Sequence, residues 1–214
     1  MIRLAFLLLL LLPGSAAAGA WLREKGAGFL SYDVTLKEGG ATRGYGSLYA
    51  EYGVRPRLTL GVDMGSNEEG RYEAFAFAVL PLGRPDAPLR RSLELGLGAV
   101  EGAAVFRPGL SVGRGFMALG QSGWVALDSR ALISLDTGEI RTKTDVTLGL
   151  NRGERAKWIL QLQQGGPMAD PDYLRLAPSV VLRTRPGRHL ELGMTAGLGG
   201  AEDYGIKLGV WREF

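Results

Sequence analysis

Apolar residues recur at every second position over much of this chain, with small or polar residues between them. Leu30, Tyr32, Val34 and Leu36 stand against Ser31, Asp33 and Thr35, and Leu58, Leu60, Val62 and Met64 against Thr59, Gly61 and Asp63. The same rhythm runs through Leu93–Ala99, Lys143–Leu150 and Leu190–Leu198. In the last residues, Tyr204, Ile206, Leu208, Val210 and Phe214 share one face, and Gly205, Lys207, Gly209 and Glu213 the other. A period of two places successive side chains on opposite sides of an extended strand. Less regular candidates cover 44–53, 74–80, 106–116, 123–135, 158–164 and 173–183, which brings the predicted total to about 12 strands. The expected fold is all-β, an antiparallel up-and-down transmembrane barrel with an apolar face toward lipid and a polar face toward a lumen.

An even count puts both termini at the same end, and charge then sorts by end. Turns on the terminal side contain Arg55, Arg57, Arg84, Arg90, Arg91, Arg152, Arg155, Lys157, Arg183, Arg185 and Arg188, opposed only by Asp86 and Glu154. The opposite loops contain Glu38, Glu68, Glu69, Glu73, Glu101, Asp136, Glu139, Asp170, Asp172, Glu202 and Asp203, against Lys37, Arg43, Arg71 and Arg141. The strand boundaries follow from hydropathy alone, so the charge sorting independently supports a paired meander. The connections are short, and no segment reads as a plug or long constriction loop.

The start of the chain follows another pattern. Arg3 precedes the apolar run Leu4–Leu12, then Pro13-Gly14, and Ala16-x-Ala18 makes a small-residue cleavage site. Nine apolar residues are far short of the ~20 that span a bilayer as a helix. Residues 1–18 are therefore expected to be a secretory signal peptide cleaved near Ala18, leaving 19–214 as one barrel domain. Hydrophobic residues make up 46% of the chain, 33 residues are glycine and there is no cysteine, which excludes disulfides and lipidation at the cleavage site. A formal net charge of +3 is too small to argue for nucleic acid.

Candidate chemistry lies on the polar face. Arg114, Asp128, Arg130, Lys143, Asp145, Arg175, Glu191 and Lys207 are expected to line the lumen, with the cations facing Asp128, Asp145 and Glu191. Charges of both signs in a narrow barrel either interlock or stay hydrated, because an unpaired buried ion is costly. Interlocked pairs predict a closed structural barrel, and a wet interior predicts a channel. Glycines on that face, Gly61, Gly96, Gly98, Gly149, Gly193, Gly205 and Gly209, leave room and tilt the reading toward water. His189 is the single histidine and has no serine beside it in sequence, so no catalytic residue and no cofactor is expected. The acidic stretches Ala169–Tyr173 and Ala201–Tyr204 lack EF-hand spacing, so no metal site is expected.

Ala20-Trp-Leu-Arg-Glu-Lys-Gly-Ala-Gly-Phe29 and Leu48-Tyr-Ala-Glu-Tyr-Gly-Val-Arg-Pro-Arg-Leu-Thr-Leu-Gly61 resemble the opening hairpins of small outer-membrane β-barrel proteins of Gram-negative bacteria, some described as porin-like or as transport proteins. Phe214 resembles the C-terminal signal that such chains present to the barrel-assembly machinery. The resemblance implies location and architecture: outer-membrane lipid and lipopolysaccharide as surroundings, and no nucleic acid. The leading expectation is a small pore for passive passage of polar solutes. A non-conducting structural or envelope-interaction barrel is the alternative, with a lipid-modifying enzyme behind it.

Overall fold

The computed structural model describes residues 19–39, 43–84, 86–200 and 203–214; the expected leader and Glu202 lie outside them. Twelve antiparallel strands form a closed barrel in which each pairs with its sequence neighbours and β1 pairs with β12. They are β1 (Gly28–Glu38), β2 (Gly44–Arg55), β3 (Leu58–Asn67), β4 (Tyr72–Pro81), β5 (Leu89–Val100), β6 (Ala103–Ala118), β7 (Gln121–Ser134), β8 (Ile140–Arg152), β9 (Ala156–Pro167), β10 (Tyr173–Arg185), β11 (Arg188–Gly199) and β12 (Tyr204–Glu213). Closure leaves no edge strand, so every interior ladder group finds a partner, as a lipid environment demands.

Chain chemistry sets the turns. Glu101-Gly102 and Leu119-Gly120 join their strands as two-residue hairpins with positive φ at both positions, the turn whose twist matches that of paired strands. The seam runs from Phe29↔Glu213 to Glu38↔Tyr204. It is finished by two backbone hydrogen bonds, Gly28 N–H to the Phe214 carbonyl at 2.6 Å and Phe214 N–H to the Gly28 carbonyl at 3.0 Å. The Phe214 ring lies over Gly28, where a β-carbon would collide with it.

Outward positions are apolar and exposed, among them Leu97 (62%), Leu110, Leu148, Met194, Ile206 and Leu208. An apolar belt encircling the molecule far exceeds the patch a water-soluble monomer carries. Aromatic residues mark its borders: Tyr72 and Tyr204 near the far rim, Tyr52, Trp158 and Phe214 near the rim where the chain ends, as barrels in membranes arrange them. The Arg152 guanidinium stacks 4.9 Å from the Trp158 ring centre at that border. Two outward hydroxyls, Ser129 and Thr144, are paired at 2.9 Å across β7 and β8, so neither is left unsatisfied against lipid.

β4 departs from the apolar-out rule. Phe75, Phe77 and Val79 point inward and are at most 4% exposed, while Ala76 faces out. The rings have space because their neighbours lack side chains. A β-carbon at Gly61 would meet the Phe77 ring, and one at Gly98 would meet Phe75.

Candidate functional site

The inward face holds two connected spaces. The larger, about 610 Å³, opens toward the far rim and is lined by Lys37, Tyr45, Glu73, Lys143 and Arg175 among others. The smaller, about 230 Å³, lies toward the near rim between Phe29, Tyr49, Trp124 and Trp211. Both are bordered by Asp33, Asp63, Arg130, Asp145, Gln161, Glu191 and Lys207, which together form a waist.

Ion pairs fix one side of this waist. Arg107 is only 3% exposed; its Nη1 lies 2.6 Å from Asp63 Oδ2, and its Nε lies 2.9 Å from Glu94 Oε1 as an ion pair without hydrogen-bond alignment. Its guanidinium stacks over Phe75 at 4.3 Å, which explains why β4 turns its rings inward: the aromatic faces complete the surroundings of a buried cation. Glu94 also holds Arg130 at 3.0 Å. On the other side, Lys207 lies 3.3 Å from Glu191 and 3.9 Å from Asp33, and the Trp211 indole N–H donates to Glu191 at 3.0 Å.

Of the pairings expected from sequence, the structure makes Lys207 with Glu191. Arg130 is taken by Glu94, Lys143 by Glu73 at 2.5 Å, and Arg175 by Asp203 at 2.7 Å. Asp128 and Asp145 lie opposite one another across β7 and β8 and have no ion-pair partner among the described residues. Arg114 is a correction: it faces outward and is exposed. It shares parity with Leu110 and Val112, while Gly109, Ser111 and Gly113 face in. Its register partners Leu89 and Val125 place it at the near rim, where a long cation reaches the headgroup layer. Glu94 is lumen-facing by parity and Glu73 reads as a far-side loop acid, but Arg107 and the inward rings of β4 carry no such signal in the sequence. Around Arg107, Val105-Phe-Arg-Pro108 breaks alternation.

The glycine expectation is also corrected. Gly61, Gly98 and Gly149 hold space that Phe77, Phe75 and Trp124 occupy, so these glycines seat rings rather than water.

A segment crosses the lumen at the near end, contrary to the expectation that none reads as a plug. Residues 19–27 cross the inside of the barrel before β1. The Ser92 hydroxyl donates to the Gly19 carbonyl at 2.7 Å, and Ala20 is 3% exposed. Trp21 packs over Gly113 and against the inward cluster of Trp124, Ala126, Ile159 and Val181, with Trp211 beside it. Farther along, the Arg23 amide donates to Thr59 Oγ1 at 3.0 Å, its guanidinium pairs with Glu51 at 2.8 Å, and Gly26 N–H donates to the Gly53 carbonyl at 2.8 Å. The strap thus runs from the β2–β3 wall to the wall formed by β5, β6 and β7.

At the far rim, Asp203 gathers Arg175 and Lys37, the latter at 3.3 Å. Burial pushes its carboxyl up, but the hydrogen bonds from Arg175 and the charges of Arg175 and Lys37 outweigh that and hold it below the ordinary aspartate value. His189, at the near rim, lies 6.5 Å from the Trp211 ring. Ser179 pairs with Gly193 deeper in the wall, and His189 with Arg183, so the two are not brought together. No group of three or more metal-ligating side chains occurs among the described residues.

No protein-family model and no curated protein sequence matches the chain. Solved structures do. The KdgM porin superposes with a TM-score of 0.66 at 8% identity, over 87% of this chain and 99% of its own. The NanC porin gives 0.65 at 8% identity, over 86% and 98%. An outer membrane channel from Pseudomonas putida F1 gives 0.61 at 12% identity, over 94% and 99%. At such identities the likeness is one of fold: a small barrel of the kind found in bacterial outer-membrane porins and channels.

Proposed function

We propose that this protein is exported, loses residues 1–18, and sits in the bacterial outer membrane as a small pore for polar solutes that prefers cations. The observation that carries the reading is the waist. Four carboxylates there, Asp33, Asp63, Asp145 and Glu191, face two cations, Arg130 and Lys207, and adding Glu94 and Arg107 behind them leaves the acid excess unchanged. Asp145 has neither an ion-pair nor a hydrogen-bond partner among the described residues, so its charge faces the hydrated passage, where rings of charge set selectivity. The near rim, with its arginines, is the periplasmic one, and Phe214 is read there as the assembly signal. Outer-membrane lipid and lipopolysaccharide surround the belt, and no enzymatic role is assigned.

One of the structural relatives is a KdgM porin in complex with disordered oligogalacturonate, a polycarboxylate. The acidic waist of this chain disfavours a polyanion of that kind and favours small neutral or cationic solutes. The test is the reversal potential across a planar bilayer under a salt gradient. Wild type is expected to select cations, and Asp145→Asn to lower the cation-to-anion permeability ratio about twofold or more. Anion selectivity in wild type, or an unchanged ratio in the variant, would refute it. The strap favours a second reading, a barrel that conducts nothing; a silent bilayer from both wild type and a chain lacking residues 19–25 would establish that reading instead.

A further inference from the structure

Asp128 is enclosed within the lumen, 8% exposed, yet its Oδ1 has no hydrogen-bond partner. A buried carboxylate oxygen without a partner calls for a counter-group. The neighbouring cation makes no ion pair with it: Arg130 is held by Glu94. What stands against Oδ1 is the strap's first residue: a β-carbon on Gly19 would collide with Asp128 Oδ1 and crowd Ser111 Oγ at 2.7 Å, so a larger residue would push the carboxylate away. Ser92 fixes the Gly19 carbonyl at 2.7 Å, and Gly19 has a φ of +71°. The Gly19 nitrogen is one bond from that α-carbon. While it is an amide it offers a single hydrogen; cleavage after Ala18 turns it into an ammonium with three.

We propose that the α-ammonium of Gly19 is the counter-ion of Asp128, and that this pair latches the strap across the periplasmic mouth only in the processed chain. The pairing rests on the export reading above. It goes beyond it by making the new N-terminus a structural element: proteolysis creates the charge that the buried carboxylate lacks. Before cleavage there is no charge at this point and Asp128 stays unpaired, so the latch is set by maturation. Glycine at 19 then has two roles, a small residue acceptable to the peptidase and one that takes a φ of +71° without a side chain between its backbone and Oδ1.

The test uses barrels refolded into lipid vesicles from chains that begin at Gly19, so it does not depend on export. The readout is the rate of trypsin cleavage after Arg23, which requires the strap to leave its seat. Asp128→Asn is expected to raise that rate about tenfold or more. A chain extended by one N-terminal alanine keeps the positive charge but moves it by ~3.8 Å and is expected to do the same. Combining the two should add less than about twofold beyond either alone, because both remove one interaction. Cleavage rates unchanged in the extended chain, or effects that multiply, would overturn the pairing. Should Asp128→Asn not refold, the extended chain decides alone. Separately, an intact mass of the protein extracted from membranes that starts elsewhere than Gly19 would remove the export reading while leaving the refolding result to stand for the pair.

Discussion

Replacing Glu94 with glutamine tests whether the waist is held by its ion pairs. Glu94 is 4% exposed and sits between two guanidinium groups, Arg107 at 2.9 Å and Arg130 at 3.0 Å. The substitution keeps shape and removes one charge. Arg107 retains Asp63 at 2.6 Å and the faces of Phe75 and Phe77, so its loss is partial. Arg130 has no second ion-pair partner among the described residues. Removing one member of a buried pair costs roughly 3–5 kcal/mol in a dry interior. Because Arg130 borders both cavities and keeps access to water, the lower end applies, about 3 kcal/mol. The assay is reversible urea unfolding in lipid vesicles, followed by tryptophan emission. Glu94→Gln should lower stability by that amount, and adding Arg130→Gln should restore at least ~1 kcal/mol, since the stranded cation is gone. A loss below ~1 kcal/mol, the range of an exposed pair, or a double variant no better than the single one, would refute the argument.

Two further outcomes follow from the rims. Phe214→Ala preserves the backbone bonds to Gly28 and removes a ring that is 63% exposed, so stability in vesicles should fall by no more than ~1.5 kcal/mol while the yield of folded barrel in cells falls severalfold; equal losses in both assays would reduce Phe214 to an apolar contact. The Asp203 carboxyl is held below its ordinary value of 3.8, so its clasp on Arg175 and Lys37 is complete above that pH and is lost as pH falls through the lower folded value. Hydrogen exchange at Gly197, whose N–H donates to the Asp203 carbonyl at 2.9 Å, should lose protection in acid in wild type and lose none further in Asp203→Asn; identical pH profiles in the two proteins would contradict the sign.

Parity carried most of the fold. Wherever β-branched and leucine residues alternate with glycine, threonine or a charge, as in β3, β5 and β12, the outward face was legible residue by residue, and the strand count followed from it. Parity failed at β4, whose alternation is between alanine and larger apolar residues and carries no polar signal for the lumen. For Arg114 parity and charge conflict: the charge suggests the lumen, but its place in step with Leu110 and Val112 puts it outside. Partner choice was not legible at all. Lys143 finds Glu73 and Arg107 finds Asp63 across the lumen, from strands that are not neighbours, and local sequence holds no information on separations of 70 and 44 residues. The strap escaped for a related reason: Gly19–Ala27 reads as a polar linker until the wall that receives Trp21 is built.

The seam and the strap meet at Gly28. The strap is tied covalently to β1, while its polar contacts lie on β2, β3 and β5 and Trp21 packs against β6, β7, β9 and β10. β1 finds β12 only after the whole chain has been spanned, the largest loop-closure entropy in the molecule. Until that pairing forms, β1 is a free edge with the strap hanging from it, and the wall opposite has no fixed distance from it. Zipping Gly28 to Phe214 sets that distance. Under the proposed latch, joining Gly19 to Phe214 by circular permutation would therefore preserve the sheet yet forfeit the pair with Asp128, because a loop has no chain terminus to place there.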